Sequence, residues 1–514
     1  MSSASTYPED VLLFRRQFIL GPRFVDSLRG WKRVEIREAI RATVHPDLPV
    51  TTASEGRRSL TLLGFLFDPS NPEAGDREIV SKLLRQLTEA SPTHSFVEAT
   101  YDLGGRWILI ADDGAAVRLF HDAMGMRTVF YTDRSRHAES WCASQPGLIA
   151  ETLGLTPDPE AQAQFVQSSI HREWPEYIWP GDRCLYAEVR HLLPNHLLDL
   201  TTGACRRYWP DRSIGRMELA EGAEESSRLL RQLVRAAAHR FPLALATTAG
   251  WDTRLILAAS RDVVGQMRFF THRTANDADV TMAPRLLARF GLTHQMLPVP
   301  ERMDPEFERI YLRNVTDAHE YWGRLAQGMY GRYPGDRVCV TANAFEITRT
   351  RIRLEAGENV TARALARWHW LAENLQERLE SNAYVVKAWE DWLAGVGDLH
   401  DVHVLDLFYW EHYSGNFAAI GEVEHDIIAD FFTPPNCRRL LTTMLAVDDV
   451  HRDHDDPRLY VEMIRRLWPE LLRVPVNEPY EGPLGPVLRA FRAVRLNRLV
   501  PRGAKPYLRR LVGR

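Results

Sequence analysis

Through the first 210 positions the apolar residues come in short runs. "LTLLGFLFDP" (60–69), "RWILIADD" (106–113), "AVRLFHD" (116–122) and "RTVFYTD" (127–133) are apolar or alternating stretches bounded by Gly, Asp and Pro, the pattern of buried or half-buried strands. "HLLPNHLLDLTTGACRRYWP" (191–210) predicts one more hairpin, turning at "TTG". The period then changes. Leu229, Leu230, Leu233, Val234 and Ala237 recur at helical spacing within 217–240. A strand-like run follows at 242–247, then a helix-like run at 253–262 and a strand at "MRFFTH" (267–272). "VTMAPRLLARFG" (280–291) predicts a helix ending at Gly291, and "HQMLPV" (294–299) another strand. "RVCVTA" (337–342) predicts a further central strand. Alternating strands and helices predict an α/β architecture with a doubly wound parallel sheet. From 360 onward the pattern is mostly helical, and no repeat or low-complexity segment occurs. The main boundary is expected near 210–216.

One turn in this pattern carries chemistry. In "TTAGWDTR" (247–254) an apolar strand stops at small and hydroxyl residues before a helix begins. Ligands of parallel sheets sit at the carboxyl ends of strands. Small residues there let backbone N–H groups approach an anion, and the helix N-terminus adds a favourable dipole. Thr248, Ala249 and Gly250 are small enough for this, and Thr248 and Thr253 add hydroxyl donors. Asp252 would repel phosphate but can hold Mg²⁺, which bridges phosphate oxygens. Arg254 would neutralise remaining charge. The plainer alternative is a helix N-terminus capped by Thr and Asp. No GxxxxGK[ST] motif is present.

Composition narrows the classes. A chain of 514 residues predicts two or more domains. Apolar content of 45% and charged content of 26% fit an ordinary globular protein. A formal charge of -4 gives no reason to expect a nucleic-acid partner. No apolar run approaches the length of a membrane span, and the polar start "MSSASTYPED" lacks the core of a secretory signal. Cys142, Cys184, Cys205, Cys339 and Cys437 are scattered, which predicts reduced thiols and a cytoplasmic location.

"TAGWDT" (248–253) resembles the SGGxDS pyrophosphate loop of the asparagine synthetase family. Three further stretches support the resemblance in the expected order. "YDLGGRWILIADDGAAVRLFHDAMGMRTVFYT" (101–132) resembles the end of that family's amino-terminal glutaminase-like domain, with His121-Asp122-Ala123-Met124-Gly125 at its Arg-Asp-x-x-Gly-type turn. "HLLPNHLLDLTTG" with "RYW" resembles the hairpin joining the two domains. "VTANAFEITR" (340–349) resembles the second ATP-site motif, usually SGEGADE-like. The likeness spans residues 60–480. It implies an N-terminal Ntn-type αββα sandwich (1–212), then a doubly wound parallel-sheet ATP-pyrophosphatase domain with a mostly helical C-terminal part (213–485), and a basic tail (486–514). ATP would be held by Thr248, Ala249, Gly250, Asp252, Thr253 and Arg254, and Mg²⁺ by Asp252 and Glu346.

The chain departs from the family in informative ways. Ordinary members expose an N-terminal cysteine that attacks glutamine. This chain begins Met1-Ser2-Ser3 without the expected glycine-rich surroundings. The N-terminal part is therefore expected to be a scaffold, with no ammonia drawn from glutamine. Glu346 falls at the acidic position of the second motif, beside Phe345 instead of the usual Asp. It would be a Mg²⁺ ligand or a substrate contact, and Arg349 would share its helix face; an exposed ion pair is the plainer alternative. Full members also carry a late lysine, but none lies between 388 and 504. The corresponding segment "YVEMIRRLWPELL" (460–472) offers Arg465 and Arg466, which can clamp phosphate but cannot give up a proton.

"LDLFYWEHYSGNF" (405–417) lies where the family builds its acceptor pocket. Phe408 and Tyr409 read as core, and Glu411 with Tyr413 as a candidate base for an amine. "DDVHRDHDD" (448–456) reads as an acidic loop more readily than as a metal site. The tail from Arg489 to Arg514 has nine cationic side chains and no carboxylate. Its three-residue spacing drifts around a helix, so a solvated or packing tail is expected, with contact to an anionic surface the alternative. The resemblance implies ATP-dependent amide formation through an acyl-adenylate, from a small-molecule or peptide carboxylate and an amine. A non-catalytic relative in a biosynthetic assembly, or a nucleotidyl-transfer enzyme with another acceptor, are the alternatives.

Overall fold

The structure is a computed structural model that describes residues 7–87, 94–168, 177–273, 277–350, 352, 359–368 and 376–476. The basic tail lies outside the described residues. Three sheets organise the chain. The first contains β1 (Phe18–Gly21), β2 (Lys32–Arg37), β3 (Ile40–Val44), β8 (Phe130–Thr132), β9 (Cys142–Ala143) and β10 (Val189–His191), in the order β10-β8-β9-β1-β3-β2. The second contains β4 (Val50–Glu55), β5 (Arg58–Phe67), β6 (Gly104–Asp112), β7 (Val117–His121), β11 (His196–Asp199) and β12 (Cys205–Arg207), in the order β12-β11-β7-β6-β5-β4. Neighbouring strands in both are antiparallel. The hairpin expected at "TTG" is β11–β12, whose turn is tied by Thr201 and Thr202 N–H donating to Asp199.

The alternation of β6 explains the layers, because successive side chains of a strand point to opposite faces. Ile108 and Ile110 join Leu63 and Leu119 in a core shared with Phe18, Leu20, Ala42 and Val44 of the first sheet. Trp107 and Leu109 join Leu60, Leu62 and Phe120 in a cluster that includes Ile79, Val80 and Leu83 of the helix Asp76–Leu84. On the far face of the first sheet, Ile19 and Phe130 pack with Leu148 and Ile149 of the helix Pro146–Leu153. Two face-to-face sheets are thus covered by helices on both outer sides. The turn at 121–125 is organised by Asp122, whose buried carboxylate accepts the N–H groups of Trp107, Met124, Met126 and Arg127 at 2.9–3.3 Å.

The third sheet is wholly parallel. It contains β13 (Leu243–Ala246), β14 (Arg268–His272), β15 (His294–Leu297), β16 (Val338–Val340) and β17 (Phe431–Phe432), in the order β15-β14-β13-β16-β17. Its central strands β13 and β16 are apolar because both faces are covered, while the edge strand β15 keeps Gln295 exposed. Leu243 and Leu245 pack with the helices Leu219–Arg240 and Trp251–Ala259, while Ala244, Phe270 and Cys339 join the core of the helix Pro305–Asn314 on the other side. After β13 the chain adds β14 and β15 on one side, then returns to add β16 and β17 on the other. The strand order therefore reverses between β13 and β16.

Strand β17 was not expected from a segment read as helical. It has two residues, too few to show a period, and exists because Cys339 and Val340 of β16 pair with Phe431 and Phe432.

A buried charge cluster joins the antiparallel sheets to the parallel one. Arg106 of β6, 0% exposed, bonds Asp426 at 2.9 Å, Asp430 at 3.1 Å and approaches Glu422 at 3.3 Å. Arg127 adds a bond to Asp430 at 3.1 Å. The chain also crosses between the two parts at its start. Leu12 sits in the core of the helix Pro305–Asn314, and Gln17, just before β1, donates to Asn314 O at 2.8 Å. Gln17, the residue leading into β1, is buried.

Candidate functional site

The turn at 247–250 leaves the carboxyl end of β13, and the helix Trp251–Ala259 starts directly after it. Thr248 and Thr253 lock the turn. The Thr253 hydroxyl oxygen accepts the Thr248 N–H at 3.2 Å, the two hydroxyls lie 2.9 Å apart, and Thr248 Oγ1 accepts the Gly250 N–H at 3.2 Å. The Ala249 N–H donates to the carboxylate of Asp279 at 2.7 Å. Asp279 lies in the helix Asp277–Arg289 that follows β14. The turn's hydroxyls satisfy its own backbone, the helix N-cap Gly250 has no side-chain cap bond, and one N–H binds the Asp279 carboxylate.

The second segment leaves the carboxyl end of β16. Phe345–Thr348 forms a 3₁₀ turn, with Phe345, Ile347 and Thr348 buried and Glu346 half-buried. Its shape is held from the helix Arg458–Leu467, where the Tyr460 hydroxyl donates to Phe345 O at 2.6 Å and lies 2.9 Å from Thr348 Oγ1.

Arg349 connects the two segments. Its Nη2 bonds Asp252 Oδ2 at 2.7 Å and lies 3.7 Å from Glu346 Oε1. Its side chain is 7% exposed, against 21% for Asp252 and 36% for Glu346, and its guanidinium carbon lies 5.8 Å from the Tyr460 ring centre. Burial alone would lower the Arg349 pKa, but Asp252, with Tyr460 and Glu346, holds it above its ordinary value. Burial pushes the Tyr460 hydroxyl up, and the charge of Asp252 adds to the effect. The Tyr409 hydroxyl donates to Glu346 from the far side.

The helix carrying Tyr409 is unusual. Val404–Phe408 is α-helical, but Tyr409–Ala418 is a π-helix of 10 residues, a geometry that is rare and concentrated at functional sites. It turns Tyr409 toward Glu346 and stacks Tyr413 on Tyr409 with ring centres 4.7 Å apart.

Three expectations are corrected by this geometry. Arg254 does not face the turn. It is 1% exposed and donates to the carbonyls of Leu471, Val474 and Pro475, and burial pushes its pKa down to about 10. Two residues from Asp252 it lies about 200° around the helix, which directs it into the core. Arg465 and Arg466 are also placed away from the turn. They are exposed and pair with Glu462, and Arg466 reaches Ala220 O. The buried face of that helix presents Tyr460 instead. Glu411 is not a base aimed at an acceptor. It is 0% exposed and bound by Arg207 at 2.7 Å, Trp392 Nε1 at 2.8 Å and Asn195 at 3.2 Å.

Thr248, Ala249, Gly250, Asp252, Thr253 and Glu346 are brought together; Arg254, Arg465 and Arg466 are not. The sequence does not single out Asp279 or Tyr460. Asp279 sits in the first turn of a helix after a strand that neighbours β13, so the sheet order would have indicated it. For Mg²⁺ the fit is partial. Nucleotide-borne Mg²⁺ needs only one or two carboxylates besides phosphate oxygens, and Asp252 supplies one. Glu346 is engaged by Tyr409 and faces Arg349. Among the described residues, no group of three or more His, Cys, Asp or Glu side chains could hold a metal ion.

No family model matches the chain, and no curated protein matches it. Among solved structures it is similar to the glutamine-dependent NAD+ synthetase from Acinetobacter baumannii in complex with ADP, at 15% identity and a TM-score of 0.20, over 39% of this chain and 42% of that one. The chain thus matches less than half the length of that synthetase. It is also similar to the glutamine phosphoribosylpyrophosphate amidotransferase from B. subtilis complexed with ADP and GMP, at 8% identity and a TM-score of 0.23, over 72% and 74% of the two chains. A third likeness is to the allosteric regulatory enzyme of purine biosynthesis, at 10% identity and a TM-score of 0.24, over 60% and 75%. Likenesses of this size assign no family.

Proposed function

We propose that this chain is an ATP-dependent, AMP-forming amide ligase of the asparagine synthetase-like type. One observation carries the reading. The turn at 247–250 and the segment 341–346 leave the carboxyl ends of β13 and β16, the two strands between which the order of the parallel sheet reverses. That crevice is where open α/β sheets bind ligands. There the reading places the pyrophosphate end of ATP against Ala249, Gly250 and the hydroxyls of Thr248 and Thr253, at the start of a helix.

In the proposed reaction a carboxylate attacks the α-phosphorus of ATP, giving an acyl-adenylate and pyrophosphate. An amine then displaces AMP. Asp252 is the residue that would hold the Mg²⁺ carried by the nucleotide; the ion supplies charge neutralisation along the phosphates. Thr248 and Thr253 fix the turn, and Arg349 adds positive charge beside it. Catalysis on this reading rests on positioning and charge stabilisation. We assign 1–212 to a degenerate Ntn-type sandwich and 213–485 to the synthetase domain.

A second reading, a non-catalytic relative acting as a scaffold, is favoured by Asp279 on the Ala249 N–H and by the absence of lysine between 388 and 504. Product analysis separates the two. With ATP, Mg²⁺ and mixed carboxylates and amines, the ligase reading expects AMP and pyrophosphate with an amide product. Binding of ATP without turnover across a broad substrate panel would favour the scaffold.

A further inference from the structure

We propose that Arg349 is the phosphate-contacting cation of this site, an assignment that rests on the ATP-site reading. The segment 388–504 supplies no lysine for this purpose, and Arg465 and Arg466 lie on an exposed face. Arg349 approaches from the β16 side and meets Asp252, two residues beyond Gly250, at 2.7 Å. Its guanidinium is therefore next to the turn that would take the pyrophosphate.

The donors of Arg349 are not used up. A guanidinium has five N–H donors in a fixed fork. The bond to Asp252 uses Nη2, and Nε is buried with no hydrogen-bond partner among the described residues. A buried donor left unmade is costly, and turning the fork outward would let a phosphate oxygen satisfy it.

The same geometry gives Arg349 a second state. Arg349 neutralises Asp252 and faces Glu346. With Mg²⁺ carried by the phosphates, Asp252 would be neutralised by the ion, leaving Arg349 for a phosphate oxygen. A resident guanidinium also means that pyrophosphate binds without any metal.

Calorimetric titration of the full chain with inorganic pyrophosphate, first without Mg²⁺ and then with it, tests this. Wild-type protein is expected to bind in both conditions. Arg349→Met is expected to weaken metal-free binding by about tenfold or more, the size of a lost charge-assisted bond. Arg349→Lys, which keeps the charge without the fork, is expected to fall in between. Binding by folded Arg349→Met within about twofold of wild type, below any charged-bond effect, would overturn the assignment and leave the ATP site standing. If Arg349→Met does not fold, Arg349→Lys decides: unchanged affinity overturns the assignment. A wild-type protein that binds neither pyrophosphate nor Mg·ATP would overturn the ATP-site reading itself.

Discussion

The carboxylate of Asp279 accepts the N–H of Ala249 at 2.7 Å, so an anionic side chain already holds one donor of the turn after β13. An incoming phosphate must displace that oxygen and then tolerate its charge. Asp279→Asn removes the charge and keeps the shape. The variant is expected to bind inorganic pyrophosphate on the order of fivefold more tightly, about 1 kcal/mol for one partly exposed like charge. Calorimetry on the two proteins reads this directly. Weaker binding by the variant would mean that Asp279 serves the ligand instead of competing with it.

The buried cluster around Arg106 makes a separate prediction about pH. Burial raises the Glu422 carboxyl from its ordinary 4.5 to about 7, despite the nearby Arg106. Asp426 is raised by burial as well, while Asp430 is held low because Arg127 and Arg106 outweigh its burial. A carboxyl whose folded pKa is raised binds more protons when folded, so its contribution is full at low pH and is lost as pH rises toward the folded value. The wild type is expected to lose stability relative to Glu422→Gln between about pH 4.5 and pH 7. Denaturant midpoints across that range check it; parallel curves for the two proteins would contradict it.

Two sets of arginines that resemble one another in sequence are expected to behave differently. Arg254 holds three carbonyls in the core. Arg254→Met should cost roughly 3 kcal/mol, the scale of unpairing buried polar groups. Arg465→Ala with Arg466→Ala should change stability by no more than about 0.5 kcal/mol, since both pairs are exposed. Denaturant unfolding measures both, and Mg·ATP affinity of the double variant should be unchanged. A marked loss of affinity there would restore those arginines to the site.

Much of this architecture was legible because burial dictates it. The strands β5, β6, β7, β13 and β14 show as apolar runs, since their residues pack on two faces. The turn of small residues after β13 shows in the sequence as residues 247–250 following the apolar run. Strand β17 and the π-helix were not, because two residues show no period and α- and π-turns share apolar spacing. Arg254 and Asp252, two apart on the helix, do not share a face, which separates Arg254 from the turn. Asp279 required knowing that β14 lies beside β13, which is a property of sheet order and not of local sequence. Arg349 was visible as a partner of Glu346 three residues away, but its stronger bond to Asp252 joins positions 97 apart in the chain.

The account stands on a nucleotide site at the turn after β13, and Asp252 is its most specific residue. Titration of the full chain with ATP, with and without Mg²⁺, beside Asp252→Asn, tests it most directly; the Asn keeps a neutral partner of the same shape for Arg349. The account predicts that Mg²⁺ strengthens ATP binding to the wild type and that Asp252→Asn loses this Mg²⁺ dependence, by about tenfold or more in affinity. A folded wild type that binds no ATP in either condition, or a variant with the same Mg²⁺ dependence as the wild type, would contradict it.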